Sequence, residues 1–249
     1  QLIDKLTRSG ARVIGNTILY SEEQIDPGQG WIASVLKGFR AAGLGLKVPE
    51  ELEQLTETMN QLGRSGSRSG SRAVSDWKGT SLNADLATQL RRINGQLERA
   101  DRELQTDKRL AQSYANAKNV VQAYTLKLGW PRGRPDNELP KPIAATIVPA
   151  PADLNLIPAL GITPPIALLA NRSASTGHLT TLLDVDGAQR YEPLLIRYFD
   201  TALPSMSLML AARALNLKAS DIRLDASGVL SLSSLKIGTT GDGRMLTHF

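Results

Sequence analysis

The chain has 249 residues, of which 41% are hydrophobic and only 4% aromatic, and a formal net charge of +5. This length suits one large domain or two small ones, with a core of aliphatic side chains. No cysteine is present, so disulfides and thiolate chemistry are excluded. The modest positive charge is compatible with contact to nucleic acid or anionic lipid and requires neither.

Neither a membrane span nor a natural terminus is visible in the sequence. The most apolar stretch, residues 157–170, carries three prolines and cannot cross a bilayer. The first residue falls inside a predicted helix and the last inside a predicted strand. We therefore expect the sequence to be a fragment of a longer protein.

The amino-terminal elements are a helix over residues 1–9 and a mostly apolar strand over 11–20, separated by Gly10. A helix, a glycine and a buried strand in this order indicate an α/β layer. Residues 26–45 are rich in glycine, although 31–39 are compatible with a short helix.

Residues 21–118 are interpreted as a helical insertion within a single domain that spans residues 1–249. Helix 49–62 begins at a proline and has acidic residues in its first turn. The Gly/Ser/Arg segment 63–72 predicts a flexible loop. Residues 83–118 predict one long helix. Its apolar residues follow the alternating spacings of four and three that are typical of a coiled coil: Leu86, Leu90, Ile93, Leu97, Ala100 and Leu104.

Two interpretations of this helical hairpin stay open. In one, each helix covers the apolar face of the other. In the second, the apolar seam contacts a second subunit, which gives a homodimer through helices 49–62 and 83–116. The loop 63–72 has the arginine and serine content of RNA-binding tails but no aromatic residue to stack on a base, so we expect no nucleic-acid partner.

Residues 119–128 predict the next strand, and the proline-rich residues beyond it predict irregular or extended chain as far as a short helix over 165–170. The strongest hairpin signal of the chain follows. Asp186-Gly187 lies between the apolar runs 179–183 and 191–198, and Asp-Gly between two such runs favours a type I′ turn.

A buried helix and a set of short strands complete the chain. Pro193 places a bulge or an edge in the second strand of the hairpin, because proline cannot donate to the ladder. Pro204 and Ser205 begin a helix that is apolar nearly all round, which predicts burial. The remaining strands form a predicted β-meander: 221–224, 229–232, 235–237 and 244–249. The fold class predicted is α/β, a mixed sheet flanked by helices, with an inserted helical hairpin and a C-terminal β-meander.

The sequence offers little that could catalyse a reaction or bind a metal. His178 and His248 lie far apart and have no helical partner. Asp184 and Asp186 could clasp a hard cation, but they flank a turn at Gly187, where aspartate is preferred for local reasons. We therefore assign these three residues a structural role in the turn and expect no metal, no cofactor and no catalytic residue.

The segment 238–243 contains three glycines and looks superficially like a phosphate cradle. Such cradles are followed by the amino terminus of a helix, whereas the strand-like residues 244–249 follow here. We interpret the segment as a hairpin loop. No carboxylate pair, histidine dyad or cofactor loop converges in the sequence, so it argues against an enzyme.

Three segments together resemble a known family, the type-two CHASE domain, an extracytoplasmic sensory module of bacterial signalling proteins. The first is QLIDKLTRSGARVIGNTILYSE at the start of the chain, and the second is LAQSYANAKNVVQAYTL. The third and most specific is GHLTTLLDVDGAQRYEPLLIRY followed by PSMSLMLAARAL, with a Gly-His pair, a D-x-D-G turn, an arginine, a Pro-Leu pair and a Pro-Ser-hydrophobic helix. The likeness covers most of 1–20 and 107–249.

The resemblance implies a parent protein with one transmembrane helix before this domain and several after it. It also implies a cytoplasmic output module, either a nucleotide cyclase, a histidine kinase or a Ser/Thr kinase. The membrane would then be contacted only through flanking segments, and the domain would lie on the periplasmic face of the bacterial inner membrane. The absence of cysteine is compatible with that location.

The leading hypothesis is a sensory domain that binds an unknown small-molecule or protein signal and passes a conformational change to the membrane. Its expected ligand contacts are Arg190, Arg197 and Tyr198, although arginines on the outer face of a strand are often simply solvated. The alternative is a protein-interaction or dimerisation module that acts through the helical hairpin and has no small-molecule ligand. A soluble enzyme ranks last.

Overall fold

The structure, a computed structural model, describes residues 2–65, 79–135 and 138–247. It divides into two compact units, Gln1–Glu23 with Asp107–Phe249, and Gln24–Thr106. The first unit begins with helix α1 (Leu2–Arg8) and strand β1 (Ile14–Asn16). The predicted helix and strand are therefore both present, although the strand is much shorter than the apolar run around it.

The second unit consists of three helices in the described residues: α2 (Pro27–Ala41), α3 (Lys47–Ser65) and α4 (Gly79–Leu104). Helix α4 packs against both of the others. The sequence predicted a two-helix hairpin and only a short helix before it, and α2 corrects that prediction. The longer helix has a local cause, because Asp26 accepts a 2.7 Å hydrogen bond from the Gly28 amide and Pro27 occupies the first turn.

The helical part of the sequence departs from prediction at two further places. Of the predicted loop 63–72, residues 63–65 belong to α3, and the rest lie outside the described residues. The long helix predicted over 83–118 is divided, since α4 ends at Leu104 and helix α5 (Thr106–Ala117) begins after Gln105. Helix α5 belongs to the first unit, where Ala111 and Tyr114 are buried.

The rest of the first unit follows α5 in short elements. In chain order these are β2 (Val120–Leu128), α6 (Lys141–Ala144), β3 (Pro158–Thr163), α7 (Ala167–Ala170), β4 (Ser175–His178), β5 (Tyr191–Pro193), β6 (Leu195–Tyr198), β7 (Thr201–Pro204), α8 (Met206–Ala214), a 3₁₀ turn (Ala219–Asp221), β8 (Ile222–Leu224), β9 (Val229–Leu232), β10 (Leu235–Gly238) and β11 (Arg244–Leu246).

The main sheet has the strand order β1-β2-β3-β6-β7, and β4 pairs with β2 off this path. Strand β2 pairs in parallel with β1 and β4 and antiparallel with β3, while β6 pairs in parallel with β3 and antiparallel with β7. Helix α8 packs against β1, β2 and β4. The predicted α/β class with a mixed sheet is therefore confirmed.

The hairpin predicted at Asp186-Gly187 is wrong, although a turn forms there. Residues 179–183 are not a strand; the strand before the turn is β4, which pairs with β2 and not with residues 191–198. The ladder ends where the Leu179 amide donates to the Tyr124 carbonyl at 2.7 Å and the Leu126 amide donates to the Thr180 hydroxyl at 2.9 Å. The Asp-Gly signal specifies only the local turn. The partner of β4 is β2, which lies far away in the sequence, and a turn signal cannot specify it.

The strand predicted over residues 191–198 is divided between two sheets. Strand β5 pairs with β11, whereas β6 joins the main sheet. The change occurs at Leu194, whose amide donates to the Gly243 carbonyl at 3.1 Å and whose carbonyl accepts from the Ser205 amide at 2.8 Å. Pro193 supplies no amide to either ladder, so the sheet can change here without an unsatisfied donor at that position.

The predicted β-meander is present as the antiparallel sheet β8-β9-β10. The last strand does not join it, because β11 pairs with β5. The interpretation of 238–243 as a hairpin loop is therefore wrong. The segment connects two sheets through a tight turn, in which the Gly243 amide donates to the Thr240 carbonyl at 2.9 Å.

Helix α8 begins as the sequence predicted and lies unusually close to the sheet. The Ser205 hydroxyl caps it by accepting from the Leu208 amide at 3.1 Å, although Pro204 belongs to β7 and not to the helix. A Cβ on Gly177 would lie 2.6 Å from the Met206 Cα, so only glycine fits in β4 at this point. The helix then buries Met206, Leu208, Met209 and Ala212.

The first unit holds three clusters of buried apolar side chains. The largest joins α8 to β2, β6 and the meander. A second lies around Tyr124, Ile196 and Leu203, and a third joins α5 to β1, β2 and α7. Among the described residues, no helix combines the length and the apolar character that a membrane span requires.

Substitution of Gly177 by alanine should destabilise the first unit by about 2–3 kcal/mol, because the new methyl group overlaps backbone atoms of α8 that cannot move independently. Urea denaturation followed by circular dichroism measures this. Gly238→Ala is the matched control, since a Cβ at that position in β10 meets nothing within 4 Å. We expect it to change the free energy of unfolding by less than about 0.5 kcal/mol. Equal losses in the two variants would contradict the close-contact argument.

Candidate functional site

Arg190 lies against the turn that precedes it. The turn is closed by the Gly187 amide, which donates to the Asp184 carbonyl at 2.8 Å, and Gly187 has a φ of +80°. The Arg190 guanidinium donates to the Asp184 carboxylate at 2.9 Å and to the Asp186 carboxylate at 2.5 Å. This contact holds the pKa of Asp186 below its usual range. A ligand at Arg190 would therefore compete with two carboxylates of the same loop.

Arg197 also contacts its own chain. Its Nη2 donates to the Pro151 carbonyl at 2.9 Å and to the Leu154 carbonyl at 3.1 Å. Both carbonyls belong to the proline-rich connection before β3. The arginine therefore anchors that connection to β6, which is a structural use of its charge.

Tyr198, the third predicted contact, lines a cleft. Its ring is buried and meets the Phe199 ring edge-on, with the centroids 4.8 Å apart. Phe199 has a φ of +50°, which is unusual for a bulky residue and turns the chain directly after β6. The cleft has a volume of about 660 Å³, within the range of small-molecule sites.

The cleft at Tyr198, which we call the aromatic cleft, combines aromatic and cationic side chains. Trp130 follows β2 and is 76% exposed, and Leu160 contributes from β3. Arg132, Arg134 and Glu138 also line the cleft. An exposed aromatic ring beside arginines suits a ligand with an apolar body and a charged group. Trp130 was not identified from the sequence, although a tryptophan between a glycine and a proline is a usable signal.

The three predicted ligand residues do not form one site. Arg197 and Tyr198 are neighbours on a strand, and successive side chains of a strand point to opposite faces. The Arg190 guanidinium donates to the two carboxylates of its own loop, and the Arg190 carbonyl accepts from the amide and the hydroxyl of Thr247. Of the three, Tyr198 lines the aromatic cleft, and ligand contact by any of them stays a prediction.

Two buried polar side chains lie together in the main sheet. Tyr124 and His178 face each other in the β2–β4 register, with ring centroids 6.5 Å apart in an edge arrangement. The Tyr124 hydroxyl and both His178 ring nitrogens have no hydrogen-bond partner among the described residues. Burial lowers the pKa of His178 to about 3 and raises the pKa of the Tyr124 hydroxyl. His178 is therefore neutral at pH 7.

A metal centre is not found in the described part of the chain, where no three histidine, aspartate or glutamate side chains are grouped to hold an ion. His248, the second histidine that the sequence singled out, lies outside the described residues. Asp184 and Asp186 bind the Arg190 guanidinium and act in the turn.

Comparison with protein families gives one match, and it covers the entire sequence. The family model of the CHASE2 domain matches residues 1–249. The chain belongs to the CHASE2 family. No curated protein and no solved structure matches the chain.

This match confirms the resemblance that three sequence segments indicated. CHASE2 is a sensory domain family of signalling receptors. The family is extracytoplasmic and non-catalytic. In this CHASE2 domain the most specific of the three segments supplies the end of β4, the Asp184–Gly187 turn, β5, β6 and α8. The segment therefore contains both the Gly177 contact and one wall of the aromatic cleft, through Tyr198.

The CHASE2 domain should lose stability on acidification in a way that depends on His178. The unfolded chain binds a proton at this histidine near pH 6.5, whereas the folded chain does so only near pH 3. Between these values the unfolded state binds more protons, so stability falls by up to about 1.4 kcal/mol for each pH unit of acidification.

The His178→Leu variant isolates this contribution from that of the carboxylates. Urea denaturation at pH 7.5, 6 and 5 should show a shallower loss of stability in the variant than in the original chain, because leucine does not titrate. Parallel pH profiles for the two proteins would show that His178 is not held neutral in the folded state.

Proposed function

We propose that this CHASE2 domain senses a signal on the periplasmic side of the bacterial inner membrane. In this proposal it relays the signal to a cytoplasmic cyclase or kinase module of the same receptor. The single observation that carries the proposal is membership of a family of extracytoplasmic sensory domains along the whole chain. The family is also non-catalytic, which agrees with a binding role.

The aromatic cleft is the proposed place of signal contact. It is lined by residues of β3 and β6 and by the segment that follows β2, so a ligand there would touch two strands of the main sheet and the chain that leaves a third. Strand β5 leads through Leu194 into β6, and β6 pairs with β7, which leads into α8. A ligand that binds two arrangements of these strands unequally would shift the balance between them, which is all that a sensor requires.

Trp130→Ala in the intact receptor should raise the signal concentration for half-maximal output by about tenfold. The reason is the loss of an aromatic contact that costs about 1–2 kcal/mol in a binding site. The measurement is second-messenger production or phosphorylation by the receptor's own output module, with periplasmic extract as the source of signal. Tyr198→Phe tests whether the Tyr198 hydroxyl contributes to the response, because it removes the hydroxyl and keeps the aromatic ring in the cleft.

Trp31→Ala is the matched control, because Trp31 is also exposed but lies in α2 of the other unit. It should leave the response unchanged. The sensory proposal fails if the receptor output is the same with every extract and is also unchanged when the domain is deleted. If Trp130→Ala and Trp31→Ala respond alike, the aromatic cleft is not the contact site.

A second proposal is homodimerisation through the helices 49–62 and 83–116. The observation that favours it is the apolar seam on α4, which the other helices cover only in part. Leu86 is 45% exposed and Ile93 is 43% exposed, seven residues apart on one face. A second copy of the same helix would cover the seam with the heptad spacing that suits coiled-coil packing.

The double substitution Leu86→Lys and Ile93→Lys should weaken the dimer at least tenfold, since it places two charges in an apolar contact. Sedimentation equilibrium measures the association. Val185→Lys is the control, because Val185 is fully exposed in the turn of the first unit. A monomeric original chain, or a dimer unaffected by the double substitution, would contradict the proposal.

A further inference from the structure

A second cleft of the first unit has a different chemistry from the aromatic cleft and shares no lining residue with it. It lies at the amino-terminal end of β4, between α6 and the carboxyl-terminal half of α8, and has a volume of about 460 Å³. The end of α7 and the residues after it form part of its wall, through Ala170, Asn171, Ser173 and Ala174, and Lys218 and Ala219 form another part. We call it the cationic cleft.

Among the described residues, three cations and no carboxylate line the cationic cleft. They are Lys141 at the start of α6, Arg213 in the last turn of α8, and Lys218 before the 3₁₀ turn. None of the three forms an ion pair with a described residue, whereas Arg190 and Arg244 do. Like charges that converge in one cleft repel each other, and a bound anion removes that cost.

The hydroxyl groups of the cleft point to the same kind of ligand. Thr146 and Ser173 both donate their hydroxyl protons to backbone carbonyls at 2.7 Å, so neither hydroxyl has a proton left to donate to an anion. Ser175 is only 8% exposed and lines the cleft, yet its hydroxyl has no hydrogen-bond partner among the described residues. The hydroxyl is not fully buried, so it is a donor open to a ligand in the cleft.

We propose that the cationic cleft binds a phosphate group. A phosphate carries about two negative charges at neutral pH and several acceptor oxygens, which match two lysines, one arginine and the free Ser175 hydroxyl. Guanidinium and ammonium groups around one anion give charge-assisted hydrogen bonds in a site that is partly shielded from water. The phosphate group belongs either to a small soluble molecule or to a lipid headgroup.

Isothermal titration calorimetry of the 249-residue chain with inorganic pyrophosphate tests the soluble source. We expect saturable binding that Arg213→Gln weakens at least tenfold and that Lys218→Gln or Lys141→Gln weakens several-fold. Lys127→Gln is the matched control, because it removes the same charge from an exposed position on β2 outside the cleft. It should change the affinity less than twofold.

Co-sedimentation with vesicles tests the lipid source, using phosphatidylcholine alone and phosphatidylcholine with one-fifth phosphatidic acid. Pyrophosphate binding without co-sedimentation identifies a soluble phosphate, and co-sedimentation that Arg213→Gln abolishes identifies a lipid phosphate; either result supports the site. No binding in both arms overturns the proposal. So does binding that Arg213→Gln and Lys127→Gln weaken equally.

Ser175→Ala protects the test against a variant that fails to fold. It changes no charge and removes only the unpartnered hydroxyl, so circular dichroism and the unfolding midpoint should be unchanged. Affinity for pyrophosphate should fall about three- to tenfold. Unchanged affinity in this variant would show that the Ser175 hydroxyl does not face the ligand and would overturn its place in the site.

Discussion

The first unit depends on one close contact, the approach of α8 to β4 at Gly177. A helix usually stands off a sheet by the length of its side chains, but here the Met206 backbone lies where a Cβ of residue 177 would be. The Ser205 hydroxyl completes the contact by capping the helix at the same place. Because α8 also packs against β1 and β2, this one contact holds the largest apolar cluster together and sets the wall of the cationic cleft.

Local signals in the sequence predicted local structure well. The cap at Ser205, the tight turn at Asp184–Gly187 and the strands of the meander depend on neighbouring residues only, and the sequence contains those neighbours. Strand pairing was predicted poorly, since the partner of β4 is β2, more than fifty residues earlier. No turn residue specifies such a partner; it follows from which sheet edge can bury the most apolar surface.

The same contrast between local and long-range structure applies to the candidate sites. Tyr198 could be proposed from the sequence as an aromatic residue at the end of a strand, but the alternation of side chains along β6 separates it from Arg197. Arg190 was selected for its charge, and its two carboxylate partners show that its own loop uses that charge. The cationic cleft could not be predicted, because Lys141, Ser175 and Arg213 come together only through packing of α6 and α8 against β4.

At Leu194 one extended segment is divided between two sheets, and this residue joins three elements. Its amide is bonded to the segment before β11, and its carbonyl is bonded to the residue that caps α8. Strand β6, which begins at the next residue, places Tyr198 at the aromatic cleft, and α8 places Arg213 at the cationic cleft. A ligand in one cleft that changed the affinity of the other would be subject to linkage, which requires the two effects to be equal.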